Sequence, residues 1–258
     1  PILDAVQDAL RVIEGAFALL FLTESGLIAA QDSRGFRPLS LGKLGEGWVV
    51  ASETCALDIV GAEFVRDLQP GELLTISADG LKATACLAPN PRAICSFEYI
   101  YFARPDSEIN GVSVHAARKA FGRRIFEESP VEADIVVGVP DSGIASAIGY
   151  AEASGLPYEL GMMKNRYVGR TFIQPDQRFR ELGVRRKLNP LPELIKGKRL
   201  IVVDDSIVRG TTTPHVVGLL RRGGAKEIHL RICAPPIIST CHFGVDMATK
   251  KELIASDK

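Results

Sequence analysis

The sequence predicts an α/β chain whose later part is a doubly wound parallel sheet and whose first third is a smaller antiparallel sheet. Three observations carry this. "DIVVGVP" (Asp134–Pro140) and "RLIVVDD" (Arg199–Asp205) are unbroken apolar runs of the kind buried on both faces of a parallel sheet. Each is followed by a loop and a helix-compatible run, "SGIASAIGYAEASG" after the first and "TPHVVGLLRRGG" after the second. Before about Pro89 the rhythm differs: short apolar or alternating runs follow one another, each bounded by Gly, Pro, Asp or Ser.

In order along the chain, "ILDAVQDALRVIEG" reads as an opening helix. "AFALLFLT", "GLIAAQDS", "RPLSLGK", "GWVVASE" and "GELLTISADG" read as strands of a meander-like antiparallel sheet, with "ESG" and "ADG" as hairpin punctuation. "ETCALDIVG" is a short helical excursion. The two prolines of "APNPRAIC" break both patterns and divide the chain into residues 1–90 and 91–258.

Bulk properties narrow the function classes. The chain has 258 residues, 46% of them hydrophobic, enough for one large core or two modest ones. Basic and acidic residues balance at 31 each, which argues against a general nucleic-acid or membrane-surface binder. No run of about 18 apolar residues suggests a membrane span, and "PILDAVQDAL" lacks the basic and apolar regions of a signal peptide. Five scattered cysteines without a CxxC suit reduced thiols, so a cytoplasmic location is expected. The chain begins on Pro1 and stops on "ELIASDK", and we expect a piece of a longer protein.

"RLIVVDDSIVRGTTT" holds the strongest chemical signal. Asp204 and Asp205 close a buried strand, and a loop rich in Gly, Ser and Thr follows at once. Backbone N–H groups from Ser206 to Thr212 can wrap an anion, and the hydroxyls of Thr211 and Thr212 add donors. A helix starting near Thr213–Pro214 contributes its positive end, and Pro214 suits a first turn. The adjacent carboxylates then need sugar hydroxyls or a divalent cation as partners. The pattern therefore fits a ligand with phosphate at one end and hydroxyls with Mg²⁺ at the other. The first strand end, "VGVPDSG" (Val137–Gly143), converges on the same face. A pair of acids alone is as readily a helix cap or a solvated turn; the preceding strand and the following loop decide against that.

At this point the sequence resembles a known family. "VVDDSIVRGTTT" is similar to the phosphoribosyl-pyrophosphate (PRPP) motif of type I phosphoribosyltransferases. "CSFEYIYFARPDS" (Cys95–Ser107), "GVPDSG", "KNRYVGRTFIQP" (Lys164–Pro175) and "VRRKLNP" (Val184–Pro190) narrow this to the glutamine PRPP amidotransferases, or amidophosphoribosyltransferases. Upstream, "GAFALLFLT", "DSRGFRPLSLG" and "VASETCALDIVGAEFVRDLQPGE" resemble the latter half of that family's glutaminase domain. The resemblance implies a type I phosphoribosyltransferase domain preceded by the C-terminal part of an Ntn-hydrolase α+β domain. It implies the first step of purine synthesis: ammonia from glutamine replaces the pyrophosphate of PRPP, giving 5-phosphoribosylamine.

Residue by residue, the resemblance places Mg²⁺ at Ser142, Asp204 and Asp205, a set suited to a hard cation that shares its shell with substrate oxygens. It places the 5′-phosphate at Ser206, Ile207, Val208, Arg209, Gly210, Thr211 and Thr212. It makes "KNRYVGRTFIQPDQRFRELGVRRK" (Lys164–Lys187) a lid, with Lys164, Arg166 and Tyr167 as contacts. Eight Lys/Arg face Asp176 and Glu181 in that stretch, and its apolar residues suit water exclusion. By itself a basic stretch is more often a solvated face. One branch of the family carries a [4Fe–4S] cluster whose first two ligands match Cys95 and Cys241, the other two falling beyond residue 258. Either cysteine alone reads as an ordinary core thiol, as Cys55, Cys86 and Cys233 do. His115, His215, His229 and His242 form no metal-ligand spacing.

The family's nucleophile is an N-terminal cysteine with its own α-amine as base. None of the five cysteines here is N-terminal, so ammonia-dependent activity at most is expected of this chain; residues Asp32 to Leu39 are expected to be structural. Purine-nucleotide feedback and a homotetramer are implied by kinship. Two other readings stay open: a non-catalytic regulatory protein that binds PRPP on the same fold, and a transferase acting on a nucleobase.

Overall fold

The computed structural model describes residues 2–165, 167, 188–247 and 249–256. By internal contacts the chain forms two compact units, Pro1–Val114 with Cys241–Asp246, and His115–Thr240 with Met247–Lys258.

The first unit opens with α1 (Ile2–Val12), whose Val6 and Leu10, one turn apart, are its buried residues. Strands β1 (Ala18–Thr23), β2 (Gly26–Gln31), β3 (Ser40–Leu44) and β4 (Gly47–Ala51) follow. Then come α2 (Thr54–Val60), β5 (Glu63–Asp67), β6 (Glu72–Ser77) and β7 (Gly80–Ala85). The strands form two antiparallel sheets, ordered β1-β2-β6-β7 and β4-β3-β5, where the sequence suggests one meander. The reason lies in β2 and β6, which are apolar on both faces. Ile28, Ala30 and Leu73 face α1 and pack with Val6, Leu10 and Phe17. Ala29 and Leu74 pack instead with Leu39, Leu41 and Leu68 of the second sheet's connections and strands. Each face needs a covering layer, so β3 to β5 leave the meander to supply one.

Residues beyond 90 stay with this unit. The N–H groups of Asn90, Ala93 and Cys95 donate in turn to the carbonyls of Ser33, Arg34 and Phe36. A π-helical turn (Glu98–Phe102) and the short pair β8 (Glu108–Ile109) and β9 (Val112–Ser113) complete it. The Glu53 carboxylate accepts from Arg104 N (2.7 Å) and Ser107 Oγ (2.8 Å), tying this stretch to the residue preceding α2. Prolines mark where the composition changes near residue 90; these hydrogen bonds place 91–114 with what precedes them.

The second unit comprises α3 (Val114–Glu128), β10 (Ile135–Gly138), α4 (Ile144–Ser154), β11 (Met162–Lys164) and β12 (Leu188–Pro190). It continues through α5 (Pro192–Ile195), β13 (Arg199–Asp204), α6 (Thr212–Arg222) and β14 (Glu227–Ile232). Strands β10, β13 and β14 form a parallel sheet with β13 in the middle. Along β13 the side chains alternate between two cores. Leu200 and Val202 pack with Val216 and Leu220 of α6, and Ile201 and Val203 with Ala147 and Tyr150 of α4. Each such side chain contributes about 1.5–3 kcal/mol by leaving water, which is why the run shows no polar alternation in sequence.

Register fixes the site. Ile135 to Gly138 pair with Leu200 to Val203 in order, and Val139 N continues the ladder to Val203 O (2.9 Å). At the opposite end Asp134 accepts from Arg199 N (2.7 Å) and Nη2 (2.9 Å), which opposes a slip. The two strands therefore end level, and their loops emerge side by side. Helix α4, which sets the direction of the first loop, crosses α3 at van der Waals range: a Cβ on Gly122 would overlap the Ser146 carbonyl oxygen. Gly122→Ala is expected to lower stability by about 2–3 kcal/mol, read by urea unfolding; a loss under about 0.5 kcal/mol would contradict so close a crossing.

Candidate functional site

The site begins where β13 ends. Asp205 N donates to Asp204 Oδ1 (2.9 Å), and Ser206 Oγ donates to Asp205 Oδ1 (2.6 Å). Just past β14, Cys233 N and Ala234 N donate to the main-chain oxygens of Asp204 (3.0 Å) and Asp205 (2.8 Å). The backbone of the doublet is thus held from the neighbouring strand. Strand alternation sends Asp204 to the α6 side and Asp205 to the α4 side. Asp205 is buried, at 7% exposure, and Asp204 is partly buried.

Charge at this point is costly. Burial, and then the adjacent Asp205 carboxylate, push Asp204 from an ordinary 3.8 up to about 7; the Asp205 N–H acts the other way. The second oxygen of each carboxylate accepts no hydrogen bond from the described residues. Two acids largely out of water, with unused oxygens, suit a divalent cation, sugar hydroxyls, or both. The described residues hold no group of three or more His, Cys, Asp or Glu able to grip a metal alone. A cation here would therefore complete its shell with water and ligand oxygens, as hard cations commonly do.

Beyond the doublet, the loop from Ser206 to Thr211 keeps its donors open. Among the described residues, the N–H groups of Ser206, Ile207, Val208, Gly210 and Thr211 donate to nothing else. Gly210 takes φ +69, a left-handed conformation that glycine adopts without strain. Thr211 is the N-cap of α6, yet its hydroxyl makes no cap bond, so it too is available. Arg221 and Arg222 stand in the last turn of α6 and complement the dipole whose positive end faces the loop. Open N–H groups at a helix N-terminus are an anion site.

In the loop that follows β10, Gly143 sits where a Cβ would overlap Val203 O, so its neighbour Ser142 lies near the end of β13. The Pro140–Asp141 peptide is cis. Asp141 forms an ion pair with Lys164 at the end of β11. Strand β11 pairs antiparallel with β12, Lys164 opposite Leu188. Tyr167 is 99% exposed, its N–H bonded to Asn165 Oδ1 (2.9 Å). Arg166 and most of the expected lid, 168–187, lie outside the described residues. A cleft of about 480 Å³ bounded by Phe126, Glu132, Ser154 and Arg199 lies at the opposite, amino-terminal ends of the strands.

Of the residues that the sequence marks, Asp204, Asp205 and Ser206 to Thr212 run on from the end of β13, Ser142 precedes the Gly143 that approaches Val203 O, and Lys164 is joined to Asp141 of the β10 loop. Asp141 is not among those marked, although "VPDSG" contains it, because a lone acid shows no partner until Lys164 arrives from 23 residues away. Nor does the sequence give any sign of the Cys233 and Ala234 N–H groups, since backbone donors carry no residue type.

Cys95 and Cys241 belong to the first unit. Cys95 N bonds Phe36 O (3.0 Å), and the Phe36 ring stacks on Phe243 at 4.4 Å. Arg37 donates to Phe243 O (3.0 Å) and pairs with buried Glu98 (2.8 Å). Phe243 N donates to Cys241 Sγ (3.3 Å). All five cysteines are free thiols, and none of the described helices is long and apolar enough to cross a membrane.

The raised value at Asp204 has a testable sign. It lies above the unfolded one, so its contribution to stability is full below pH 4 and is lost as pH rises through about 7. Without divalent cations, Asp204→Asn should remove that loss and gain about 1–3 kcal/mol over the parent at pH 8 but little at pH 4. Chemical denaturation across pH checks this; equal pH slopes would contradict a largely buried, uncompensated carboxyl.

Comparisons with known proteins place the chain in a family. Residues 109–235 match the family model described as a phosphoribosyl transferase domain. The chain is 60% identical over 252 residues to an amidophosphoribosyltransferase of Mycobacterium tuberculosis (strain ATCC 25618 / H37Rv), covering 98% of this chain and 48% of that protein. It is 54% identical over 253 residues to that of Bacillus subtilis (strain 168), covering 98% and 53%. A solved structure of glutamine PRPP amidotransferase from B. subtilis, complexed with ADP and GMP, superposes with a TM-score of 0.91 at 53% identity, covering 100% of this chain and 57% of that one. The chain spans about half the length of the curated relatives it matches. Over nearly all of its own length, then, this chain belongs to the amidophosphoribosyltransferase family, with a type I phosphoribosyltransferase domain as its second part.

Proposed function

We propose that the protein acts as an amidophosphoribosyltransferase, exchanging the pyrophosphate of PRPP for ammonia to give 5-phosphoribosylamine, the first step of purine synthesis. The carrying observation is the juxtaposition at the end of β13 of two carboxylates largely out of water, with unused oxygens, and a loop of open N–H groups. PRPP matches that pair end for end. Its 5′-phosphate suits the N–H groups and hydroxyls of Ser206 to Thr212. Its ribose hydroxyls suit Asp204 and Asp205 as donors to acceptors. A charge that burial and a like neighbour disfavour, with Asp204 pushed up to about 7, becomes affordable once hydroxyls or a cation face it.

Ser142, Asp204 and Asp205 are the residues that would hold Mg²⁺. When bound, that ion supplies positive charge to the departing pyrophosphate. Bond breaking at C1 leaves positive character on the ribose, which the nearby carboxylates stabilise. Lys164 waits on Asp141 and can trade that carboxylate for the more highly charged pyrophosphate. Ammonia is already a nucleophile and needs no strong base, so exclusion of water is the greater demand; the segment that includes Arg166 and Tyr167 is assigned that role.

In the whole protein we infer glutamine as the ammonia source, purine nucleotides as feedback ligands, a homotetrameric assembly and a cytoplasmic location. The ADP and GMP complexed with the B. subtilis relative support the regulatory part. Cys95 and Cys241 are assigned to a [4Fe–4S] cluster. They are in one unit, tethered through Phe36 and Phe243, and the Cys241 sulfur already accepts a backbone N–H, as cluster sulfurs do. Two further thiolates are required for four-point ligation. In the full-length protein Cys241→Ser should abolish the brown visible absorbance of a thiolate-ligated cluster; an unchanged spectrum would exclude this ligand.

Pyrophosphate release from PRPP with an ammonium salt and Mg²⁺, without any nucleobase, tests the reaction. We expect turnover, with Asp204→Asn and Asp205→Asn each slower by about 100-fold or more. Binding without turnover would favour a regulatory PRPP-binding protein, and release only with a nucleobase would favour a base phosphoribosyltransferase.

A further inference from the structure

After β14 the chain of the second unit comes back to the phosphate loop. Lys250 to Glu252 form one 3-10 turn, and Thr249 Oγ1 donates to Glu252 Oε1 (3.0 Å). The other carboxylate oxygen, Oε2, accepts from Arg209 twice, from Nε (2.9 Å) and Nη2 (2.6 Å). Two residues on, Ile254 N donates to Val208 O (3.1 Å). The Ile254 side chain lies on Gly210, where a Cβ would stand 2.5 Å from its Cδ1. Buried Met247 and Leu253, at 6% and 4% exposure, anchor the segment.

Three consecutive residues of the loop are therefore gripped by one short segment, each in a different way. Val208 is held by its carbonyl, Arg209 by its side chain and Gly210 by contact with its α-carbon. None of these contacts uses a loop N–H. The grip leaves the anion-binding groups open while fixing the backbone that carries them. A loop with five N–H groups that donate to no described residue has few bonds of its own to order it, and ordering it at the moment of binding would weaken affinity.

We propose that Thr249–Ile254 is a brace that holds the phosphate loop in its anion-accepting shape, with Glu252 a positioning residue that acts through Arg209. This rests on the PRPP reading given above. The brace has a definite sign. If Glu252 positions the loop, its removal weakens PRPP binding. If Glu252 instead withholds Arg209 from the phosphate, its removal strengthens binding.

The test is calorimetric titration of the protein with PRPP and Mg²⁺, paired with steady-state rates at saturating ammonium. Glu252→Gln keeps the size of the side chain and removes its charge. It should raise Kd and KM for PRPP by about 5- to 10-fold, while kcat changes by less than about 2-fold, since binding and not chemistry is affected. Ile254→Ala, which leaves the Arg209–Glu252 pair in place, should raise Kd in the same direction. Melting temperatures show that both variants are folded. An unchanged or lowered Kd in folded Glu252→Gln overturns the brace while leaving the PRPP reading standing. Absence of PRPP binding by the parent protein overturns the functional reading and the brace together.

Discussion

Two carboxylates at the end of the central strand, whose outer oxygens accept no hydrogen bond from the described residues, are the constraint around which the second unit is arranged. Alone they would repel each other, and the rise of Asp204 to about 7 reflects that conflict on top of burial. A fold optimised for stability alone would place apolar or neutral groups there. The sheet instead presents the charges at its carboxyl edge, where ligands of open parallel sheets bind. Every nearby feature is consistent with a ligand that relieves the repulsion: open N–H groups, an unused Thr211 hydroxyl, the helix dipole of α6, and Ser142 brought in by the β10 loop.

What brings these parts together is register more than any one contact. Asp134 and Arg199 lock β10 to β13 at one end, so that Gly138 and Val203 finish level at the other. Gly122 and Gly143 then let helix and loop approach backbone to backbone. These residues touch no ligand, yet a slip of one position would carry Ser142 away from the doublet and turn the apolar side chains of β13 to the wrong layers. Chemistry at the edge is inherited from packing in the middle.

Much of this is legible in sequence because its signals are local. An apolar strand, an acid pair and a Gly/Thr loop occupy fifteen consecutive residues, Arg199 to Thr213, and the helix follows directly. The antiparallel first unit is legible as strands but not as two sheets, since β2 pairs with β6 across more than forty residues. Long-range partnerships escape for the same reason. Lys164 with Asp141, Arg209 with Glu252, and the placement of Cys241 beside the Phe36 segment each join residues whose local surroundings say nothing of the other. The boundary near residue 90 is a change of composition; the hydrogen bonds from Asn90, Ala93 and Cys95 back to Ser33, Arg34 and Phe36 are invisible to it.

The most direct measurement of the central claim is a crystal structure with PRPP and Mg²⁺ bound. The 5′-phosphate should lie within the Ser206–Thr212 loop, with the ribose hydroxyls or the cation on Asp204 and Asp205. Electron density that puts the sugar phosphate at another part of the molecule, with the two carboxylates bonded to protein groups alone, would contradict it.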